Sequence, residues 1–172
     1  MAHASPDTPS PWVVRWAALI ERGPVLDVAS GGGRHARFLA QRNLEVVAVD
    51  REAQVIPGAR FVQADLEDGN PWPFGGQRFG AIVVTNYLHR PLLPTLAASL
   101  AEGGVLIYET FMLGNERFGR PSNPHFLLKP GELLEAFAAL TVLGFEQGAT
   151  ERSVAQRICA VRGDASSIRI PA

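Results

Sequence analysis

Five strand-like runs, PVLDVA (24–29), LEVVAVD (44–50), ARFVQAD (59–65), FGAIVVTNYL (79–88) and GGVLIYETF (103–111), constrain this chain more than any other feature. Most are nearly continuous in Val, Ile and Leu, the pattern of strands covered on both faces, and such strands belong to parallel sheets flanked by helices. Helical periodicity lies between them at ARFLAQR (36–42) and LLPTLAASLA (92–101), so the class is α/β. The end of the chain departs from this alternation. After a helical stretch in PGELLEAFAAL (130–140), the strand-like TVLGFEQGAT and AQRICAVRG (155–163) are joined by only a few residues. A parallel crossover needs about a dozen residues or more, so these two pair as an antiparallel hairpin.

A chain of 172 residues suits one domain. The organisation expected is a loose N-terminal tail over 1–9, a single domain over 10–163 and a C-terminal tail over 164–172. PWVVRWAALIE (11–21) reads as a helix packed ahead of the first strand, with Ser10 as N-cap and Pro11 in the first turn. An exposed apolar patch on this helix would point to self-association; the oligomeric state is otherwise not written in the sequence. No apolar run approaches the roughly 20 residues that cross a bilayer, and the N-terminus lacks the pattern of an export signal, so no membrane partner and a cytoplasmic location are expected. Net charge is −1, and the 16 basic residues are scattered, which argues against a nucleic-acid partner. Cys159 is the only cysteine, so an internal disulfide and a cysteine metal cluster are excluded. It lies in the apolar run ICAV, as a buried inert thiol would. No metal site is expected.

The stretch VLDVASGGGRHARFLA (25–40) passes from a strand through three glycines into a helix. Gly31, Gly33 and Ala36 match G-x-G-x-x-A, with Asp50 ending the next strand, a pattern that also fits a dinucleotide site. Glycines let backbone approach a ligand closely, and free N–H groups at the start of the following helix favour a negative group. The two oxygens of Asp50, beside Arg51, suit the hydroxyls of a ribose. Adenosine is implied, and the rest of the ligand stays open at this level.

Further segments bear on that choice. DVASGGG places Asp27 ahead of the glycines, VQADLED places Asp65 and Leu66 after the third strand, and FGAIVVTNYLHR and LAEGGVLIYETF supply the fourth and fifth strands. In these motifs the chain resembles the class I S-adenosylmethionine-dependent methyltransferases over most of its length, loosely the compact bacterial tellurite-resistance type. The resemblance implies a Rossmann-like three-layer sandwich whose seven-stranded, mostly parallel sheet ends in the antiparallel hairpin. It also implies S-adenosyl-L-methionine as cofactor. Asp50 would hold the ribose, Asp65 the adenine amine, Leu66 the ring face, and Asn86 the donor ammonium through its carbonyl. The family's first glycine is Ala29 here, and a position often held by Cys is Ser30; Ala29 restricts positive φ, so the turn is expected to sit slightly differently.

Bland roles stand beside these. Asp50 and Asp65 each end a strand and fit as caps of the next segment. Arg34 suits the donor's carboxylate or an exposed first turn, and His35 is expected to face solvent. Tyr87 and His89, at the carboxyl edge of the fourth strand, are the catalytic candidates: an imidazole titrates near neutrality and suits removal of a substrate proton, although RPLLP after it also fits His89 as a helix start. The long segment 112–129, with Gly114, Gly119, Pro121 and Pro124, reads as a lid or substrate loop in which Asn115, Arg117, Arg120, Asn123 and His125 are candidate contacts; the two arginines suit an anionic substrate, and the alternative is a solvated flap. The expected activity is methyl transfer to O, N or S of a small molecule. The competing readings are an NAD(P)-dependent oxidoreductase and a silent donor-binding protein acting through a partner.

Overall fold

The computed structural model describes residues 7–172. Seven strands form one sheet in the order β3-β2-β1-β4-β5-β7-β6: β1 (Val25–Val28), β2 (Val46–Asp50), β3 (Ala59–Gln63), β4 (Phe79–Thr85), β5 (Leu100–Phe111), β6 (Thr141–Ala149) and β7 (Val154–Val161). β1 to β5 run parallel, while β7 is antiparallel to both β5 and β6. The class and the terminal hairpin are as the sequence predicts.

The period-2 alternation of each strand feeds two separate cores. Leu26, Val28, Val49, Ile82, Val84 and Leu106 face one side, under α3 (Leu93–Ala98) and α4 (Glu132–Ala136). Val25, Val46, Ala48, Ala81, Val83 and Ile107 face the other, under α1 (Pro11–Trp16) and α2 (Arg34–Ala40). Each Val, Leu or Ile side chain among them stabilises the fold by about 1.5–3 kcal/mol on leaving water, so both faces of the parallel strands must be covered. Trp16, 1% exposed, reaches the hairpin because β6 carries a glycine there: a Cβ on Gly144 would lie 2.3 Å from the indole ring. Cys159 is buried in this same layer, and burial raises its thiol pKa.

Several boundaries are tighter than expected. α1 keeps its cap, Ser10 Oγ accepting from Trp12 N at 3.1 Å, but gives way to a 3-10 turn at Ala17–Leu19 before Ile20 turns extended. Trp12, Val13 and Trp16 are buried, and Val14 is the one large apolar residue of α1 that is exposed, so this helix offers no apolar patch to solvent. The helix expected over 92–101 is α3 preceded by a 3-10 turn at Arg90–Leu92, and Leu100 and Ala101 already belong to β5. The tail expected over 1–9 falls partly outside the described residues; the described part is tied down, with Asp7 paired to Arg37 at 2.6 Å and the Thr8 carbonyl accepting from Arg34 at 3.2 Å. The C-terminal tail also packs back, the Pro171 carbonyl accepting from Arg15 at 3.3 Å. The connection over 64–78 consists of loop and turns only, and from it Trp72 and Phe74 pack on the core in place of a helix beside α3. No helix among the described residues is long and apolar enough to cross a membrane.

Candidate active site

The carboxyl ends of β1, β2, β3 and β4 converge on one crevice. The β1–α2 turn is held from both sides by aspartates. Asp27 Oδ2 accepts from Ala36 N at 3.0 Å, and Asp50 Oδ2 accepts from Gly31 N at 2.8 Å while its Oδ1 accepts from Glu52 N at 3.0 Å. Part of the N–H set expected to wait for a negative ligand is therefore used internally. Ala29 takes φ 52°, the left-handed conformation that the family glycine would adopt without strain, so the departure in sequence is absorbed as local backbone strain of about 1 kcal/mol. Gly33 is required for two reasons: φ is 78°, and a Cβ would lie 2.6 Å from Ile56. Gly31 and Gly32 instead face open space, where a Cβ would meet nothing within 4 Å.

Two cavities meet at Ala29. One, about 210 Å³, is lined by Ser30, Gly31, Gly32, Thr85, Asn86 and Asp7. The other, about 420 Å³, is lined by Asp50, Asp65, Leu66, Glu67, Tyr87 and Phe126. Arg51 and Ala64 also border the second cavity, and both residues, with Asp65 and Leu66, border a third of about 520 Å³ that runs under Trp72, His89 and α3. Asp50 and Asp65 thus face a common space. Asp65 also caps its own turn, accepting from Glu67 N at 2.9 Å, so the bland role and the ligand-facing position coexist.

An S-adenosylmethionine donor fits this arrangement. The larger cavity suits its nucleoside, the smaller its amino-acid end, and the glycine turn lies open between them. Two buried polar atoms at that turn, Asp27 Oδ1 and Ser30 Oγ, have no hydrogen-bond partner among the described residues. Burial, opposed by the Ala36 N–H and Arg34 and assisted by Asp50, pushes the Asp27 carboxyl up to about 7. Such an atom is costly unless something satisfies it.

His35 does not face solvent. It is 2% exposed, its Nε2 accepting from Ser10 N at 3.0 Å and its Nδ1 lying 3.3 Å from Thr85 Oγ1. Burial and then Arg34 lower its pKa to about 4, so the ring is neutral, and the Ser10 bond puts its proton on Nδ1, toward Thr85. The helix pattern misplaced it because the N-terminal segment folds over α2 and covers that face. Arg34 borders the smaller cavity together with Arg37, which donates to the Gly32 carbonyl at 2.5 Å.

Asn86 takes φ 53° at the end of β4 and lies exposed at the cavity mouth. Tyr87 follows, half-buried; burial and then Glu67, which hydrogen-bonds its hydroxyl, raise its pKa and keep it protonated. His89 Nδ1 stands 3.9 Å from Glu67 Oε2. It also occupies the position before the Arg90–Leu92 turn, without capping it through its side chain. Glu67 therefore links Tyr87 and His89, a role no spacing rule exposed; the turn at Asp65 aims it there.

Segment 112–129 is a pinned loop. Met112 bridges Leu128, and Arg90 fastens it, donating to the carbonyls of His125 at 2.7 Å and Leu127 at 2.9 Å while pairing with Glu132 at 2.6 Å. The candidate contacts are placed otherwise than expected. Asn115 is 2% exposed, its amide spent on the Pro121 carbonyl and Val154 N, and Asn123 caps a turn by accepting from His125 N. Arg117 lies over the Phe118 ring, and neither it nor Arg120 or His125 borders the three cavities. Phe126 is the loop residue that does, and the argument for an anionic substrate loses its arginines.

Residues 26–107 match the family described as methyltransferase domain. No curated protein matches the sequence. Among solved structures, TehB from Haemophilus influenzae superposes with a TM-score of 0.69 at 16% identity, covering 88% of this chain and 61% of TehB, so the chain spans under two thirds of that relative. Magnesium protoporphyrin IX methyltransferase from Synechocystis PCC 6803, with bound S-adenosylhomocysteine, gives 0.64 at 17% identity over 88% of this chain and 79% of that one. The 1,6-didemethyltoxoflavin-N1-methyltransferase from Burkholderia thailandensis, bound to its substrate and S-adenosylhomocysteine, gives 0.62 at 18% identity over 89% and 76%. At these identities the likeness is one of fold. The domain match falls on the strands that build the crevice, and the sheet order and terminal hairpin are as described.

Proposed function

We propose that the protein moves a methyl group from S-adenosyl-L-methionine to an O, N or S atom of a small molecule by in-line displacement, in the cytoplasm. The observation that carries this reading is the pair of cavities meeting at Ala29 beneath Asn86 and Tyr87, with a further cavity of small-molecule size opening beside them. When bound, the donor supplies a methyl group already activated by a positively charged sulfur.

The protein's part is then positioning and exclusion of water. Asp50 and Asp65 hold the nucleoside, Leu66 and Arg51 flank it, and Ser30, Gly31, Gly33, Arg34 and Asp27 shape the amino-acid end. Phe126 closes the crevice from the loop side. His89 accepts the proton of an acceptor atom that carries one, and Tyr87, protonated, orients the acceptor by donating or accepting a hydrogen bond. The N1-methyltransferase of Burkholderia thailandensis, by its name a small-molecule enzyme, supports the substrate class by analogy. A nicotinamide reading has less behind it, because the glycine turn alone would serve it and the hairpin and domain match would not.

The test uses donor labelled in the methyl group, incubated with the protein and a bacterial extract separated afterwards by size. Label is expected in the small-molecule fraction, carried on a product distinct from the donor. Label confined to nucleic acid or protein would contradict the substrate class, and no transfer at all would favour a silent binding protein.

A further inference from the structure

The third cavity exists because the connection over 64–78 forms no helix against the sheet. In place of a helix, Trp72 and Phe74 stack edge to face at 5.0 Å and Phe74 on Phe79 at 5.4 Å, and about 520 Å³ lies open between this segment and the start of α3. Leu66, Pro71, Trp72, Pro91 and Leu92 give it apolar walls. Phe126 and Tyr87 extend that character into the neighbouring cavity. An acceptor with a flat apolar body matches such walls.

Charge narrows the class further. Among the described residues that line the two connected cavities stand four carboxylates, Asp50, Asp65, Glu67 and Asp68, against one guanidinium, Arg51. The donor reading uses Asp50 and Asp65, which leaves Asp68 in the third cavity and Glu67 in the neighbouring one, beside His89, which lines the third. Glu67 lines the cavity of about 420 Å³, bonded to the Tyr87 hydroxyl and 3.9 Å from Nδ1 of His89, which lines the other. The arginines that would have suited an anion, Arg117 and Arg120, border neither cavity. In a partly dry crevice an anionic acceptor would meet more like charges than cations able to offset them.

Resting on the methyltransferase reading, we infer that the acceptor is a neutral or cationic molecule with an aromatic or flat apolar body, and that Glu67 is the residue that discriminates it from anionic analogues. The carboxylate does so directly by its charge, and it positions His89 beside the accepting atom. The proton of a hydroxyl or amine acceptor passes to His89 as the acceptor's bond to the methyl carbon forms and the carbon–sulfur bond breaks, its electron pair staying on the sulfur of S-adenosylhomocysteine, the leaving group.

The test uses the full-length protein saturated with S-adenosylhomocysteine and two probes of the same shape and opposite charge, tyramine and 4-hydroxyphenylacetate, followed by ligand-observed NMR. Tyramine is expected to bind about tenfold more tightly. In Glu67→Gln, which keeps an oxygen to accept from the Tyr87 hydroxyl, the preference should shrink to about threefold or less. Equal binding, a preference for the acid, no binding of either probe at millimolar concentration, or an unchanged preference in Glu67→Gln overturns the inference. Failure of S-adenosylhomocysteine itself to bind would remove the donor reading too. Donor binding with the wrong probe preference removes this inference alone.

Discussion

Asp50→Ala will bind S-adenosylhomocysteine at least about 100-fold more weakly than the unchanged protein. Hydrogen bonds to a charged group are worth about 1.5–3 kcal/mol each, and two ribose hydroxyls would be lost together. The same carboxylate also fixes the turn itself, through Gly31 N at 2.8 Å and Glu52 N at 3.0 Å. Losing it frees a turn that already carries strain at Ala29, so the ligand must also re-order the backbone when it binds. Calorimetric titration measures the change. Thermal unfolding of the ligand-free variant separates the two contributions, since both bonds are exposed and should cost the fold little. A loss of less than about fivefold would mean that Asp50 serves the turn and not the ligand.

Asp27 gives the second large effect, on stability against pH. Its carboxyl is pushed up to about 7 from an ordinary 3.8, mainly by burial. The folded state therefore holds a proton that the unfolded chain releases near pH 4, and stability from this group falls as pH rises from about 4 through about 7. Across that window the loss amounts to at most about 4 kcal/mol. Asp27→Asn, whose side-chain oxygen can still accept from Ala36 N, removes the titration. Urea unfolding should find the variant more stable than the unchanged protein at pH 8, with the gap closing toward pH 5. An equal difference at both pH values would show that the carboxylate is not the cause.

The sheet was legible because its information is periodic. Alternating residues of β1, β2, β4 and β5 go to two different cores, so both faces had to be apolar, and the short link between β6 and β7 left only an antiparallel pairing. Helix lengths were less legible: LLPTLAASLA reads as one helix, yet Leu100 and Ala101 are drawn into the ladder of β5, where tertiary pairing outweighs local preference. At the site, Asp50 ends β2 while Asp65 lies two residues past the end of β3, and both line one cavity. His35 was not legible, because what covers it is the N-terminal segment, whose path over α2 depends on Arg34, Arg37 and Ser10 together. The loop contacts failed for a related reason. Asn115 and Asn123 are polar residues spent on holding their own backbone, a use as common for asparagine in loops as ligand contact. Glu67, Phe126 and Arg90 matter through contacts distant in sequence, and spacing carries no trace of those.

The central claim is that the crevice between the β1–α2 turn and Asp65 holds an adenosine bearing a sulfur-linked amino acid. Its most direct test is calorimetric titration of the protein with S-adenosylmethionine, S-adenosylhomocysteine, NAD and NADP under one set of conditions. Stoichiometric binding of the two sulfur nucleosides, with neither dinucleotide binding detectably, is the predicted result. Binding of NAD or NADP with equal or greater affinity, or of none of the four, would contradict it.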